Sequence, residues 1–180
     1  VYSASLSDPW FGGVQPVQFS TSFSHTKQYR YNYFTGRVDK SASFEITGAS
    51  IGLAKRLRIP DDYFTLSQSL AYQYYNLNNY YTGLFPFGDG SSNNLSYTVA
   101  LSRNNTFTNP IFPLGGSEFV LSARFSLPYS LWNGVDYENL GDLEKFQDVD
   151  GNPDPAKIEQ EKFKWLEFYK IKFKGEWFTA

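Results

Sequence analysis

Three clusters in this 180-residue chain have residue types and spacing that suggest chemistry. The first is Asp148-Val149-Asp150-Gly151-Asn152-Pro153-Asp154, followed by Glu159. Oxygen-bearing side chains at alternate positions with a carboxylate at the twelfth imitate a calcium loop. Pro153 stands at the sixth position, where that loop needs glycine for its sharp turn, and no helix pair flanks it. The competing reading is a solvated acidic loop. The second is His25, the single histidine, in a chain with no cysteine. A serine hydrolase needs a histidine beside an activated serine, but no G-x-S-x-G elbow occurs, and the serines sit at strand-interior spacing. His25 therefore reads as a residue at the end of a strand, and no catalytic residue, cofactor-binding residue or metal ligand is assigned. The third is Lys170, Lys172 and Lys174, which share one face of an extended segment beside Glu176. An ion-pair role, with Arg124 as a neighbour, is favoured over anion selection.

The elements carrying these residues have period two. Seven stretches alternate apolar with small polar residues: 1–11, 17–25, 43–57, 63–74, 93–103, 117–129 and 162–179. Alternation puts successive side chains on opposite faces of a strand. In the second, Val17, Phe19, Thr21 and Phe23 oppose Gln18, Ser20, Ser22 and Ser24; in the fifth, Leu95, Tyr97, Val99 and Leu101 oppose Ser96, Thr98, Ala100 and Ser102. The third slips parity between Ile46 and Ile51, and a bulge beside Gly48 is expected to absorb one residue. Residues 156–166 could carry a helical turn or two, or simply begin the seventh strand.

Connector lengths alternate as well. Residues 12–16 and 58–62 are short, 104–116 are moderate, and 26–42, 75–92 and 130–161 are long and polar. Aromatics make up 19% of the chain and gather at both sets of strand ends. Trp10, Phe11, Tyr63, Phe64, Phe107, Phe112, Trp177 and Phe178 lie near the short connectors. Tyr29, Tyr31, Tyr33, Tyr72, Tyr74, Tyr75, Tyr129, Trp132, Phe163 and Trp165 lie near the long ones. Short turns at one end, long loops at the other, two aromatic belts and strands of roughly 9–11 residues are the pattern of a transmembrane β-barrel. The fold class expected is therefore all-β, an antiparallel transmembrane β-barrel, here an arc of about seven strands. An odd strand count with ends on opposite sides suggests a piece of a larger barrel, because complete bacterial barrels have even numbers. A mean hydropathy of −0.43 and the lack of a long apolar run exclude a helical membrane protein. A net charge of −2 argues against nucleic acid as a partner.

The turn segment Asn109-Pro110-Ile111-Phe112-Pro113-Leu114-Gly115-Gly116-Ser117 resembles a periplasmic turn of the Omp85 superfamily, with Asn109, Phe112, Pro113 and Gly116 matching and Pro110 standing where members often have arginine. Ser7-Asp8-Pro9-Trp10-Phe11-Gly12-Gly13 looks like that family's aromatic strand ending, and Leu57-Arg58-Ile59-Pro60-Asp61-Asp62-Tyr63-Phe64, Ser91-Ser92-Asn93-Asn94-Leu95 and Phe168-Tyr169-Lys170 resemble forms from its members in Bacteroidota. The resemblance implies that residues 1–180 form part of an Omp85-type barrel domain, the fourth to tenth strands of about sixteen, with no POTRA domain. It implies an outer-membrane protein insertase that works without enzyme chemistry. Its implied partners are outer-membrane lipids and lipopolysaccharide, the remainder of the barrel, other assembly-machinery subunits and unfolded outer-membrane protein substrates. The implied address is the bacterial outer membrane. Other readings are a porin or transport barrel, a carbohydrate-binding sandwich using Trp132 and Trp165 as sugar platforms, and an outer-membrane enzyme.

Overall fold

A computed structural model describes residues 1–13, 17–106, 115–148 and 150–179. Each of the seven alternating stretches contains a strand: β1 Tyr2–Asp8, β2 Val17–Asn32, β3 Arg37–Arg56, β4 Phe64–Asn78, β5 Gly90–Asn104, β6 Gly116–Ser126 and β7 Tyr169–Phe178. They form one antiparallel sheet in the order β1-β2-β3-β4-β5-β6-β7. One α-helix, α1 Pro155–Lys162, and three single 3-10 turns lie between β6 and β7.

The sheet is open. Among the described residues no ladder joins β7 back to β1. The arc of an antiparallel transmembrane β-barrel expected from the alternation is corrected to an open seven-stranded antiparallel sheet. The physical reason is that period two fixes the two faces of a strand, and short connectors fix its sequence neighbours, but neither says whether the first and last strands meet.

Register makes the two faces explicit. On one face run rows such as Leu6, Thr21, Ile51, Leu70, Tyr97, Phe125 and Tyr169. On the other run rows such as Ser20, Gly52, Ser69, Thr98, Arg124 and Lys170. The apolar face is uncovered within the chain: Phe23, Ile51, Leu53 and Phe125 all count among its exposed large residues. The small-residue face is knitted by contacts such as Ser22 Oγ to Ser50 Oγ at 2.7 Å.

β3 departs from expectation in an informative way. Its pairing with both neighbours runs without a shift from Ser43 to Arg56, so there is no bulge at Gly48. Ile51 and Leu53 lie on the apolar face, whereas Phe44 and Ile46 lie on the small-residue face. The parity slip marks a change in which face is covered. β4 repeats it: Leu70 and Tyr72 share the apolar face, and Tyr75 and Leu77 the other. The irregularity lies instead between Tyr29 and Arg30, opposite Ser43 and Asp39.

The long polar connector expected over residues 26–42 is mostly strand. β2 and β3 continue to a tight turn, where Asn32 Oδ1 accepts from the Phe34 and Thr35 amides and Gly36 N donates to Asn32 O at 2.9 Å. Arg30 pairs with Asp39 at 2.8 Å. The Ser41 hydroxyl, and then the Arg30 guanidinium, hold the Asp39 carboxyl down to about 2. A carboxylate with a depressed folded pKa contributes stability that is present above its unfolded pKa and is lost as pH falls through the folded one. The expected result is an Asp39 NMR titration midpoint near 2, rising toward about 3.9 in Ser41→Ala. A midpoint unmoved by that substitution would remove the hydroxyl as the main cause.

Candidate functional site

The only buried hydrophobic cluster among the described residues is at the long-connector end of the small-residue face. Its floor is Phe44 and Leu77 from β3 and β4. Its roof is Phe85 and Phe87 from the β4–β5 loop, with Tyr80, Phe163 and Leu166 packed against it. Phe85 stacks on Phe87 at 5.4 Å and meets Tyr75 edge-on at 5.5 Å, and Phe163 stands edge-on to Phe85 at 6.4 Å. This explains the face switch in β3 and β4: where the loops fold back over the sheet, the small-residue face has something apolar to touch.

Polar anchors hold the same cap. Ser92 Oγ donates to Phe163 O at 2.5 Å. Asn93 N donates to Lys164 O at 2.8 Å, and Leu166 N returns a bond to Asn93 O at 2.8 Å, a short parallel bridge. Ser126 N donates to Phe168 O at 3.0 Å. Gln160 of α1 donates from Nε2 to Ser91 O at 3.3 Å. Two long connections are thus fixed to the strand ends by a core of their own.

The cap has a cleft of about 270 Å³ lined by Ser130, Tyr137, Lys162, Phe163, Trp165, Leu166 and Glu167. Trp165 is stacked on Tyr129 at 4.3 Å. The Tyr129 hydroxyl is buried without a hydrogen-bond partner, and burial pushes its phenol up. Glu167 accepts from the Ser130 amide and, at 2.8 Å, from its hydroxyl. Trp132 is exposed. One face of Trp165 is therefore taken by Tyr129, and the two tryptophans are differently placed, one stacked within the cap and the other turned out.

The residues singled out by sequence fall into place as follows. His25 Nδ1 lies 2.8 Å from Thr47 Oγ1, its cross-strand partner, and among the described residues no carboxylate is hydrogen-bonded to it. In the acidic loop, Asp148 Oδ1 accepts from the Asp150 and Asn152 amides. Asp154 caps α1, its side chain accepting from the Ala156 and Lys157 amides. The alternating oxygens are thus a turn followed by a helix cap. Among the described residues no cluster of three or more metal-ligating side chains exists; Val149 lies outside them. Residues 156–166 do hold helix, for Pro155–Lys162 is helical. Lys174 pairs with Glu176 at 2.7 Å along the strand, which raises its pKa. Arg124 lies directly opposite Lys170, like charge against like, and its Nε donates to Thr98 Oγ1 at 3.2 Å. The expected ion-pair role thus has a carboxylate partner at Lys174 only, among the described residues.

At the short-connector end, Arg103 pairs with Asp61 at 2.9 Å, donates to Ser117 Oγ at 3.0 Å and lies over the Tyr63 and Phe64 rings. Phe107 and Phe112 lie outside the described residues, as does most of the turn segment 109–117 on which the family likeness chiefly rested.

Sequence reasoning missed the cap. Its signal was present in Leu84-Phe85-Pro86-Phe87, an apolar run inside a connector read as polar, and in the parity slip of β3.

No family model, no curated protein and no solved structure matches this chain. Assignment to the Omp85 superfamily, and identity as the outer-membrane assembly factor BamA, are therefore withdrawn. With the family and the barrel arc go the readings built on them: insertase or porin activity, the outer-membrane address, and lipid, lipopolysaccharide, assembly-subunit and substrate partners. The chain is an all-β sheet domain identified with no known family.

Proposed function

We propose that the chain is a non-catalytic binding module that recognises another protein through the loops at the capped end of its sheet. The observation that carries this reading is the pairing of ordered loops with outward aromatic tips. The connections between β2 and β3, β4 and β5, and β6 and β7 all leave the same end of an antiparallel meander. Phe34, Tyr33, Tyr81, Leu84, Leu131 and Trp132 on these connections are all largely exposed. A loop held by its own core has already lost conformational entropy, so binding through its tip costs less ordering. Exposed aromatics on such loops are the residue types that dominate protein–protein binding energy.

Two alternatives have less support. Catalysis needs a base, a nucleophile and an electrostatic stabiliser converging on one point, and His25 and the acidic loop have local partners instead. Sugar binding needs open aromatic platforms, and of the two tryptophans proposed for it only Trp132 is turned out.

The test is site-specific photocrosslinking in extracts of the source cells. A photoreactive phenylalanine at Phe34 or at Leu131 is expected to trap one discrete protein, while the same group at Ser22 on the sheet traps none. Phe34→Ala with Trp132→Ala should then weaken binding of the purified partner by about 2 kcal/mol, roughly 30-fold. Unchanged affinity, or a glycan that competes for Trp132, would sink the proposal.

A further inference from the structure

We infer that the cleft in the β6–β7 connection is the anchor point for the module's protein partner, and that it takes an aromatic side chain with a side-chain carboxylate beside it. That the occupant is a protein rests on the loop-recognition reading; the motif goes beyond it. Both walls of the cleft come from this single connection, Ser130 and Tyr137 on one side and residues 162–167 on the other. Leu131 and Trp132, two of the outward tips, follow Ser130 directly.

Size limits the guest. About 270 Å³ lies below the roughly 300–1,000 Å³ of pockets that hold drug-sized ligands, so the cleft fits one large side chain rather than a cofactor. Its walls are preset. Phe163 is packed into the core of the cap. Trp165 is stacked on Tyr129 at 4.3 Å. Lys164 O and Leu166 N both bond to Asn93 of β5. The Tyr137 hydroxyl accepts from Asn133 Nδ2 at 2.5 Å. Walls already ordered cost little on binding. Tyr137, Phe163 and Trp165 favour an aromatic guest, because an edge-on or offset ring pair adds to what burial of the ring contributes.

Charge at the rim selects what sits beside that ring. Two charged side chains line the cleft, Glu167 and Lys162. Glu167 is engaged, accepting from the Ser130 amide and, at 2.8 Å, from its hydroxyl. Lys162 is exposed in the last turn of α1 and has no carboxylate in ion-pair contact among the described residues. The ion pairs around it use Lys145, Lys157 and Lys164. The free charge of the site is therefore positive, and the guest brings the anion. That anion is a side chain rather than a chain terminus. Capture of a terminal carboxylate uses free backbone amides, and the amides of Ser130, Phe163 and Leu166 are bonded to the Glu167 side chain, Glu159 O and Asn93 O. The partner thus presents an aromatic residue next to aspartate or glutamate, its ring in the cleft and its carboxylate on Lys162 Nζ.

A lysine in the last turn of a helix also suits the helix dipole, and the experiment separates that role from binding. Peptides blocked at both ends, with phenylalanine-aspartate, phenylalanine-lysine or alanine-aspartate at their centre, are titrated against the full chain. Binding is followed by the NMR signal of the Trp165 indole N–H, assigned with Trp165→Phe. Only the phenylalanine-aspartate peptide is expected to move it. In Lys162→Glu its affinity should fall about fivefold or more, and the phenylalanine-lysine peptide should bind in its place. Lys162→Gln, which keeps the stem and the helix, should show the same loss in smaller measure. Unchanged affinity in both variants, equal movement by all three peptides, or no movement would overturn the inference. So would movement of the indole signal as the chain alone is concentrated, which would seat a second copy in the cleft. Photocrosslinks from Phe34 and Leu131 report the loop reading separately: a trapped partner with an unmoved indole signal removes the anchor and leaves the module.

Discussion

Phe44→Ala is expected to release the loop cap at a cost of about 3 kcal/mol while the sheet survives. Large-to-small changes at buried aromatics cost about 3–5 kcal/mol when the cavity cannot collapse. Phe44 is 6% exposed and stacks against Tyr75 and Tyr80 at 6.3 and 6.1 Å. The roof residues Phe85 and Phe87 reach it from a loop, so part of the void can close, which places the estimate at the lower end. Limited proteolysis should show new cleavage in residues 79–89 and 155–168, with the strands intact. Leu53→Ala is the control. Leu53 lies on the same strand but on the uncovered face, and its loss should fall within about 0.5 kcal/mol. Equal effects of the two substitutions would show that the cap contributes nothing beyond ordinary strand burial.

Gly90→Ala is expected to destabilise the junction between the β4–β5 loop and α1 by about 2 kcal/mol. Gly90 has φ +140°, a conformation that L residues rarely adopt, and backbone strain of this kind costs about 1–3 kcal/mol. A Cβ there would also lie 1.7 Å from Gln160 Oε1. That clash is with the end of a flexible side chain, which can swing away and give up only its bond to Ser91 O. Backbone strain therefore dominates. Measured in a Gln160→Ala background, Gly90→Ala should cost no more than about 0.5–1 kcal/mol less, the net worth of that one hydrogen bond. No cost at all in that background, read by thermal unfolding, would assign the loss to the side chain instead.

The seven strands were legible because each sets one apolar face against one small polar face, and this pattern survives in any single sheet. Leu95, Tyr97, Val99 and Leu101 announce β5 whatever lies beyond it. The hairpin tip was not legible. Lys27, Gln28, Arg30 and Asn32 are polar on either face, so an exposed ribbon reads as a loop. The acidic loop was ambiguous for a related reason: aspartate and asparagine at alternate positions serve a turn and a helix cap as well as they serve calcium. The family likeness rested on short runs such as Asp8-Pro9-Trp10-Phe11-Gly12-Gly13. Proline fixes φ and glycine permits reversal in any antiparallel meander, so these runs report chain reversal before ancestry. Sheet closure is a long-range property, carried by none of these local patterns. The cap was half legible, as an unexplained parity slip whose cause lay some 30–40 residues away in Phe85 and Phe87.

The strict meander order also shapes how the molecule can come apart. Every strand touches only its neighbours in sequence, so the sheet behaves as a row of hairpins, with stability close to a sum of adjacent interfaces. Pulled from its β1 end, such a row unzips one ladder at a time, and β1 and β2 leave without disturbing anything else. The cap breaks that independence. By tying Asn93 of β5 to residues 164–166 and Ser126 of β6 to Phe168, over a floor of Phe44 from β3 and Leu77 from β4, it makes the last five strands and their connections one mechanical block. Under force, the chain should yield in small steps first and then in a single large one.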